Sequence, residues 1–292
     1  MADLLPGFTA RFITTRGARI HARVGGAGPP LLLLHGYPQT HAIWHRVAPR
    51  LAERFTVVAT DLRGYGDSEA PPTAPDHAPY AKRAMAQDQV EVMEALGFER
   101  FHLVGHDRGG RVAHRLALDH PARVRTVTVL DIAPTRHMYE GTGFEFARAY
   151  FHWFFLIQPA PFPERLIGAD PAFYLRTVMS RGRAGLGIFD PAAFAEYVRC
   201  FDEATIAASC EDYRAAATID LAHDRADEDR RVTAPLLALW GRHGVVERCF
   251  DALAAWRARA VDVAGEALEC GHYVPEEAPD ALLERLLPHL AR

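Results

Sequence analysis

The segment Gly105-His106-Asp107-Arg108-Gly109-Gly110 sets a carboxylate among small residues, between the apolar run Phe101–Val104 and a helical pattern from Arg111 to Asp119. A reactive side chain at such a strand-to-helix turn is the arrangement of a nucleophile elbow, where serine is the usual occupant. Aspartate there selects a different reaction. A carboxylate that attacks an sp³ carbon leaves an ester, which water can cleave, whereas serine would leave a resistant ether. Two other readings use the same residues. Asp107 could cap the helix while the glycines allow close packing. Gly105–Val112 also half-matches a phosphate loop, but Arg111 and Val112 stand where lysine and Ser/Thr are required.

A two-step displacement needs further groups, and the chain offers candidates for each. His272, in Gly271-His272-Tyr273, lies just past the last strand pattern and is a candidate base. Its orienting acid would ordinarily follow the strand at Pro235–Trp240, but the loop Trp240-Gly241-Arg242-His243-Gly244 carries glycine instead. Asp131, at the end of the strand pattern Val124–Leu130, is the alternative, and Glu247 the fallback. His35-Gly36-Tyr37-Pro38 leaves another apolar strand, so the backbone N–H of Tyr37 could pair with that of Arg108 as an oxyanion hole. Arg111 follows Asp107 by about one helical turn, so Arg108 and Arg111 could hold a small anionic substrate bidentately and keep Asp107 ionised. They could equally form a buried salt-bridge cluster. In the aromatic stretch Phe144–Phe155 most rings read as core, while the ring N–H groups of His152 and Trp153 suit a leaving anion. His41 and His45 have an i, i+4 spacing without a third ligand, and read as surface residues.

The elements that must position these groups alternate. Strand patterns at Phe8–Thr15, Arg19–Val24, Leu31–Leu34, Phe55–Thr60, Phe101–Val104 and Val124–Leu130 are interleaved with helical patterns at Trp44–Glu53, Lys82–Leu96 and Arg111–Asp119. That rhythm predicts a mostly parallel sheet with helices on both faces. From 135 to 226 long helical patterns and prolines replace the strands. The strand rhythm resumes at Pro235–Trp240 and Ala260–Val263 and closes with a helix from Pro279. The division expected is a core of residues 1–134 and 227–292, with a helical cap of 135–226 over the carboxyl edge of the sheet, where ligands bind in open α/β sheets.

At 292 residues, 49% apolar and 24% charged, the chain can bury a full core. A net charge of −4 gives no reason to expect nucleic acid or an anionic membrane as partner. Four scattered cysteines without C-x-x-C spacing suit free thiols, and Met1–Phe8 shows no signal-peptide pattern, so a cytoplasmic protein is expected.

On "LLLHGYPQ", "DLRGYGDS", "FHLVGHDRGGRVAHRLALDHP", "FHWFF", "DYRAAATIDL" and "GHYVPE", from about Pro6 to the C-terminus, the chain resembles the α/β-hydrolase superfamily and, within it, the fluoroacetate (haloacetate) dehalogenases. The resemblance implies an α/β-hydrolase fold with a helical cap, Asp107 as nucleophile, His272 as base and Asp131 as its acid. It further implies Arg108 and Arg111 on the substrate carboxylate, and His152, Trp153 and Tyr213 on the halide. A small haloacid as substrate, no cofactor and no metal, and a homodimer are the corresponding expectations. An epoxide hydrolase with the same Asp-His-Asp set is the second reading, and a non-catalytic ligand receptor on the same scaffold the third. The glycine- and arginine-rich stretch Met179–Gly187 departs from the pattern.

Overall fold

The apolar runs form β1 (Thr9–Thr14), β2 (Arg19–Gly25), β3 (Pro30–Leu34), β4 (Thr56–Thr60), β5 (Phe101–His106), β6 (Val124–Leu130), β7 (Leu236–Gly241) and β8 (Val263–Leu268). The computed structural model describes residues 3–180 and 185–292. Within the stretch Met179–Gly187, residues 181–184 therefore lie outside the described residues, as do Met1 and Ala2. The strands make one sheet of order β1-β2-β4-β3-β5-β6-β7-β8. β1 and β2 pair antiparallel, as do β2 and β4; every later pair is parallel.

Side chains alternate across a strand, so continuous apolar strands feed two cores. Leu32 and Leu34 pack in one with Val58, Leu103, Val127 and Leu236. Leu31 and Leu33 pack in the other with Val57, Val104, Leu130 and Leu239. Helices from Thr135 to Ala226 lie between β6 and β7 in the chain. No helix of the described residues is long and apolar enough to cross a membrane.

Three expectations need correction. The pattern at Trp44–Glu53 is not one helix but a 3₁₀ turn, His41–Trp44, and a single α-turn, Ala48–Leu51. Pro49 lies in the first turn of the latter, the one place where a helix tolerates its missing N–H. The last strand runs Val263–Leu268 rather than Ala260–Val263; Ala260 makes only an isolated bridge to Val232. Its Gly265 and Glu266 weaken the strand signal. His41 is buried, 5% exposed, because Asp61 accepts hydrogen bonds from its Nδ1 at 2.9 Å and from His21 Nδ1 at 2.8 Å.

The elbow depends on close backbone approach. A Cβ on Gly105 would lie 2.4 Å from Gly109 O, and one on Gly109 would lie 2.4 Å from Leu34 O. Backbone, unlike a side-chain tip, cannot swing aside. Gly105→Ala is expected to cost about 1–3 kcal/mol, the range for forced overpacking, read as a lowered urea midpoint. An unchanged midpoint would contradict the packing described.

Candidate active site

Asp107 is the first residue after β5, at φ 45° and ψ −115°, a conformation that non-glycine residues adopt at a cost. The turn lifts the carboxylate off the end of the sheet, and the helix Arg108–Asp119 starts at once behind it. Gly36 lets the neighbouring loop come close, since a Cβ there would sit 2.5 Å from Asp107 Cβ. The Tyr37 N–H consequently donates to Asp107 Oδ2 at 3.1 Å. The Arg108 N–H opens the helix, where N–H groups have no intrahelical acceptor.

Asp107 is 5% exposed. Burial alone would raise its pKa, but His272, Arg111 and Arg108 outweigh that and lower it, so it stays a carboxylate.

Asp131 repeats the geometry one strand over: first residue after β6, φ 50°. Its Oδ2 accepts from His272 Nδ1 at 2.6 Å and its Oδ1 from the Gly241 N–H at 2.9 Å. The loop after β7 carries no acid, and the space beside it is taken by Asp131: a Cβ on Gly244 would be 3.2 Å from Asp131 Oδ1. Glu247 instead accepts from the Trp240 indole N–H, away from His272. With Nδ1 donating to Asp131, His272 keeps Nε2 as its basic nitrogen. Burial would lower the His272 pKa, but the hydrogen bond and charge of Asp131, with Asp107 beside it, raise it.

The two arginines differ. Arg108 is fully buried, and its fork is already filled: Nε donates to Asp212 Oδ2 at 2.9 Å and Nη2 to Asp212 Oδ1 at 2.6 Å. The bidentate partner anticipated in a substrate is thus Asp212, and only Arg108 Nη1 is a buried N–H without a partner. Lys82 Nζ and the Tyr65 hydroxyl also bond Asp212. Burial would raise the Asp212 pKa, yet Arg108 and Lys82 hold it well below the carboxylate range. Arg111 has no carboxylate within salt-bridge distance among the described residues. Its Nη1 donates to Ala133 O at 3.2 Å and to Thr135 Oγ1 at 3.0 Å, while its Nε is buried and unpartnered.

The aromatic residues stand against this pair. Arg108 lies 4.1 Å over the Tyr213 ring and Arg111 4.6 Å over Trp153. His152 and Trp153 sit 5.8 and 6.3 Å from Tyr213, centroid to centroid. The Tyr213 hydroxyl is buried without a partner. Three orphaned donors (Arg108 Nη1, Arg111 Nε and Tyr213 Oη) therefore sit on residues that stack on one another. Not every aromatic of Phe144–Phe155 is core: Phe144 is 84% exposed and Phe151 41%. A cavity of about 550 Å³ reaches from Asp107, His272, Tyr37, Tyr150 and His152 outward past Arg148.

Sequence reasoning missed four participants. Asp212 and Lys82 set the charge around Arg108. Tyr150 Oη lies 3.2 Å from His272 Nδ1. His106 Nε2 lies 2.8 Å from the carbonyl of His272, and burial, with His272 beside it, pushes the His106 pKa down to about 3, so a neutral ring holds the His272 loop. His106 and Asp212 each adjoin a residue already singled out, which was the one signal available.

A family model described as alpha/beta hydrolase fold matches residues 29–279. A fluoroacetate dehalogenase from Burkholderia sp is 49% identical over 95% of this chain and 92% of its own length. A soluble epoxide hydrolase from Corynebacterium sp. (strain C12) is 36% identical over 94% of each chain. The crystal structure of ALR0039 from Nostoc sp PCC 7120 superposes with a TM-score of 0.96 at 57% identity, covering 98% of both chains.

Because Asp212 balances two buried cations, Asp212→Asn should destabilise the fold by about 3–5 kcal/mol, the cost of breaking a buried pair from one side. Removing Lys82 as well, in Lys82→Met/Asp212→Asn, should recover part of that loss. Urea denaturation of the two variants checks this; a double variant no more stable than the single would contradict it.

Proposed function

The chain belongs to the α/β-hydrolase family and, within it, to the fluoroacetate dehalogenase family, and on that premise we propose that it is a haloacetate dehalogenase. It hydrolyses the carbon–halogen bond of haloacetates, fluoroacetate and chloroacetate among them, to glycolate and halide. Residues 135–226 serve as the cap on a core of 1–134 and 227–292. The single observation that carries the reading is the pair of unpartnered guanidinium N–H groups, Arg108 Nη1 and Arg111 Nε, buried beside the Asp107 carboxylate. A neutral substrate has no use for them; a carboxylate α to the reacting carbon does.

In the first step an Asp107 oxygen attacks the halogen-bearing carbon in line and the halide departs. His152, Trp153 and Tyr213 receive it, Tyr213 through its orphaned hydroxyl. Fixed donors of this kind act strongly because water is excluded. In the second step His272 takes a proton from water, Asp131 steadies the imidazolium, and the hydroxide adds to the ester carbonyl of Asp107. The N–H groups of Tyr37 and Arg108 face the developing oxyanion. Collapse returns the proton to the leaving glycolate oxygen and regenerates Asp107. Exposed Phe162, Leu166 and Phe173 on the cap support a homodimer.

Arg111→Leu tests the carboxylate role. Loss of a charged hydrogen bond is worth about 1.5–3 kcal/mol, so kcat/KM for chloroacetate should fall about ten- to a hundredfold. Chloroacetamide, which has no charge to bind, should lose far less. An equal loss on both substrates, in a variant whose circular dichroism is unchanged, would refute carboxylate recognition by Arg111.

A further inference from the structure

Halide release and proton transfer make different demands on the leaving-group pocket. A halide is the anion of a strong or fairly strong acid and departs with hydrogen bonds alone. The residues assigned to the leaving group nevertheless include a transferable proton: Tyr213 Oη is a buried hydroxyl with no partner, with Arg108 4.1 Å over its ring and the His152 ring 5.8 Å away. Burial and the Asp107 carboxylate keep that hydroxyl protonated until a strong base meets it, and the guanidinium works the other way, favouring the phenolate. Three features then coexist: a carboxylate nucleophile, two N–H groups for an α-carboxylate, and an O–H acid on the leaving-group side.

We propose that this site also hydrolyses α,β-epoxy acids, epoxides that bear a carboxylate on one ring carbon, with oxirane-2-carboxylate as the smallest. The proposal rests on the reading of Asp107 as nucleophile and of the arginines as carboxylate donors. Oxirane-2-carboxylate is one heavy atom larger than chloroacetate, and its α-carbon presents the same carboxylate with an oxygen in place of halogen.

Asp107 attacks the α-carbon, forming an ester bond and breaking the bond from that carbon to the ring oxygen. The oxygen stays on the β-carbon and swings to where halide would go. As an alkoxide it is far more basic than a halide, and it takes the Tyr213 proton; the phenolate is held by Arg108. His272 then takes a proton from water as the hydroxide adds to the Asp107 carbonyl, and passes it to the departing α-oxygen. Asp107 is released as the acid and ionises, and that proton restores Tyr213. The sum is epoxy acid plus water giving glycerate, with no other reactant. Because water adds at the Asp107 carbonyl, the α-oxygen of the first product comes from Asp107 itself.

The test uses the whole protein with oxirane-2-carboxylate and, separately, chloroacetate, following glycerate by proton NMR and chloride by electrode, with spontaneous hydrolysis subtracted. Wild type should form both products, and Asp107→Asn neither. Tyr213→Phe should lower epoxide turnover by about a hundredfold or more, the scale of a lost general acid, and chloride release about tenfold, as for one lost hydrogen bond. With enzyme in excess in ¹⁸O-water, the first glycerate should carry no label at its α-oxygen. Chloride release without glycerate would overturn the proposal and leave the dehalogenase reading standing. Glycerate without chloride release would overturn that reading and leave the proposal standing. Equal losses on both substrates in Tyr213→Phe, or label in the first glycerate, would overturn the mechanism proposed.

Discussion

Asp107 has almost no solvent to hold its charge, so the charge is held by the groups around it, and much of the site follows from that constraint. Desolvation works against the ionised form, and a lone carboxylate at this depth would take up a proton. His272, Arg111 and Arg108 reverse the balance. Arg108 is itself countered by Asp212, and Lys82 by Asp212 and Asp220 together, so the two cations meet two carboxylates. Arg111 is the exception. Its nearby anion is Asp107, the very group that on this account loses its charge when the ester forms. The charge that remains for Arg111 in that state is the carboxylate of the bound substrate.

The backbone supplies the other half of the design. Asp107 and Asp131 each stand one residue past a parallel strand, on neighbouring strands, at positive φ. Both carboxylates are thereby lifted over the same edge of the sheet, close enough to share His272. A one-residue slip would turn each side chain to the other face, so the 2.6 Å contact from Asp131 to His272 depends on the β6–β7 and β7–β8 registers, and the place of Asp107 beside them on that of β5–β6. The buried leucine, valine and alanine ladders on both faces fix those registers.

How much of this was legible in the sequence follows from how local each signal is. Asp107 is marked by its own local pattern, small residues on both sides at a strand-to-helix turn, which a helix cap shares and a phosphate loop only half matches. The strands β3, β5 and β6 were legible because continuous apolar runs leave little else to be. The residues alone leave Asp131 and Glu247 open once the loop after β7 lacks an acid, and it is the resemblance that implies Asp131; in the structure Asp131 fills the space that a side chain at Gly244 would enter. Asp212 was not legible: its contact with Arg108 spans 104 positions, and no local pattern marks an aspartate that will be buried. The same limit hid His41, whose burial depends on Asp61, 20 residues on. The gaps fall where tertiary partners decide a polar residue's fate, and they change the site's meaning: Arg108 offers one N–H, not a fork.

The central claim is that Asp107 becomes an ester and that His272 acts only in its removal. Mass spectrometry of His272→Asn after incubation with chloroacetate tests this directly. The account predicts about one equivalent of chloride per chain and a carboxymethyl adduct that maps to Asp107. Sustained turnover near the wild-type rate, or release of chloride with Asp107 unmodified, would contradict it.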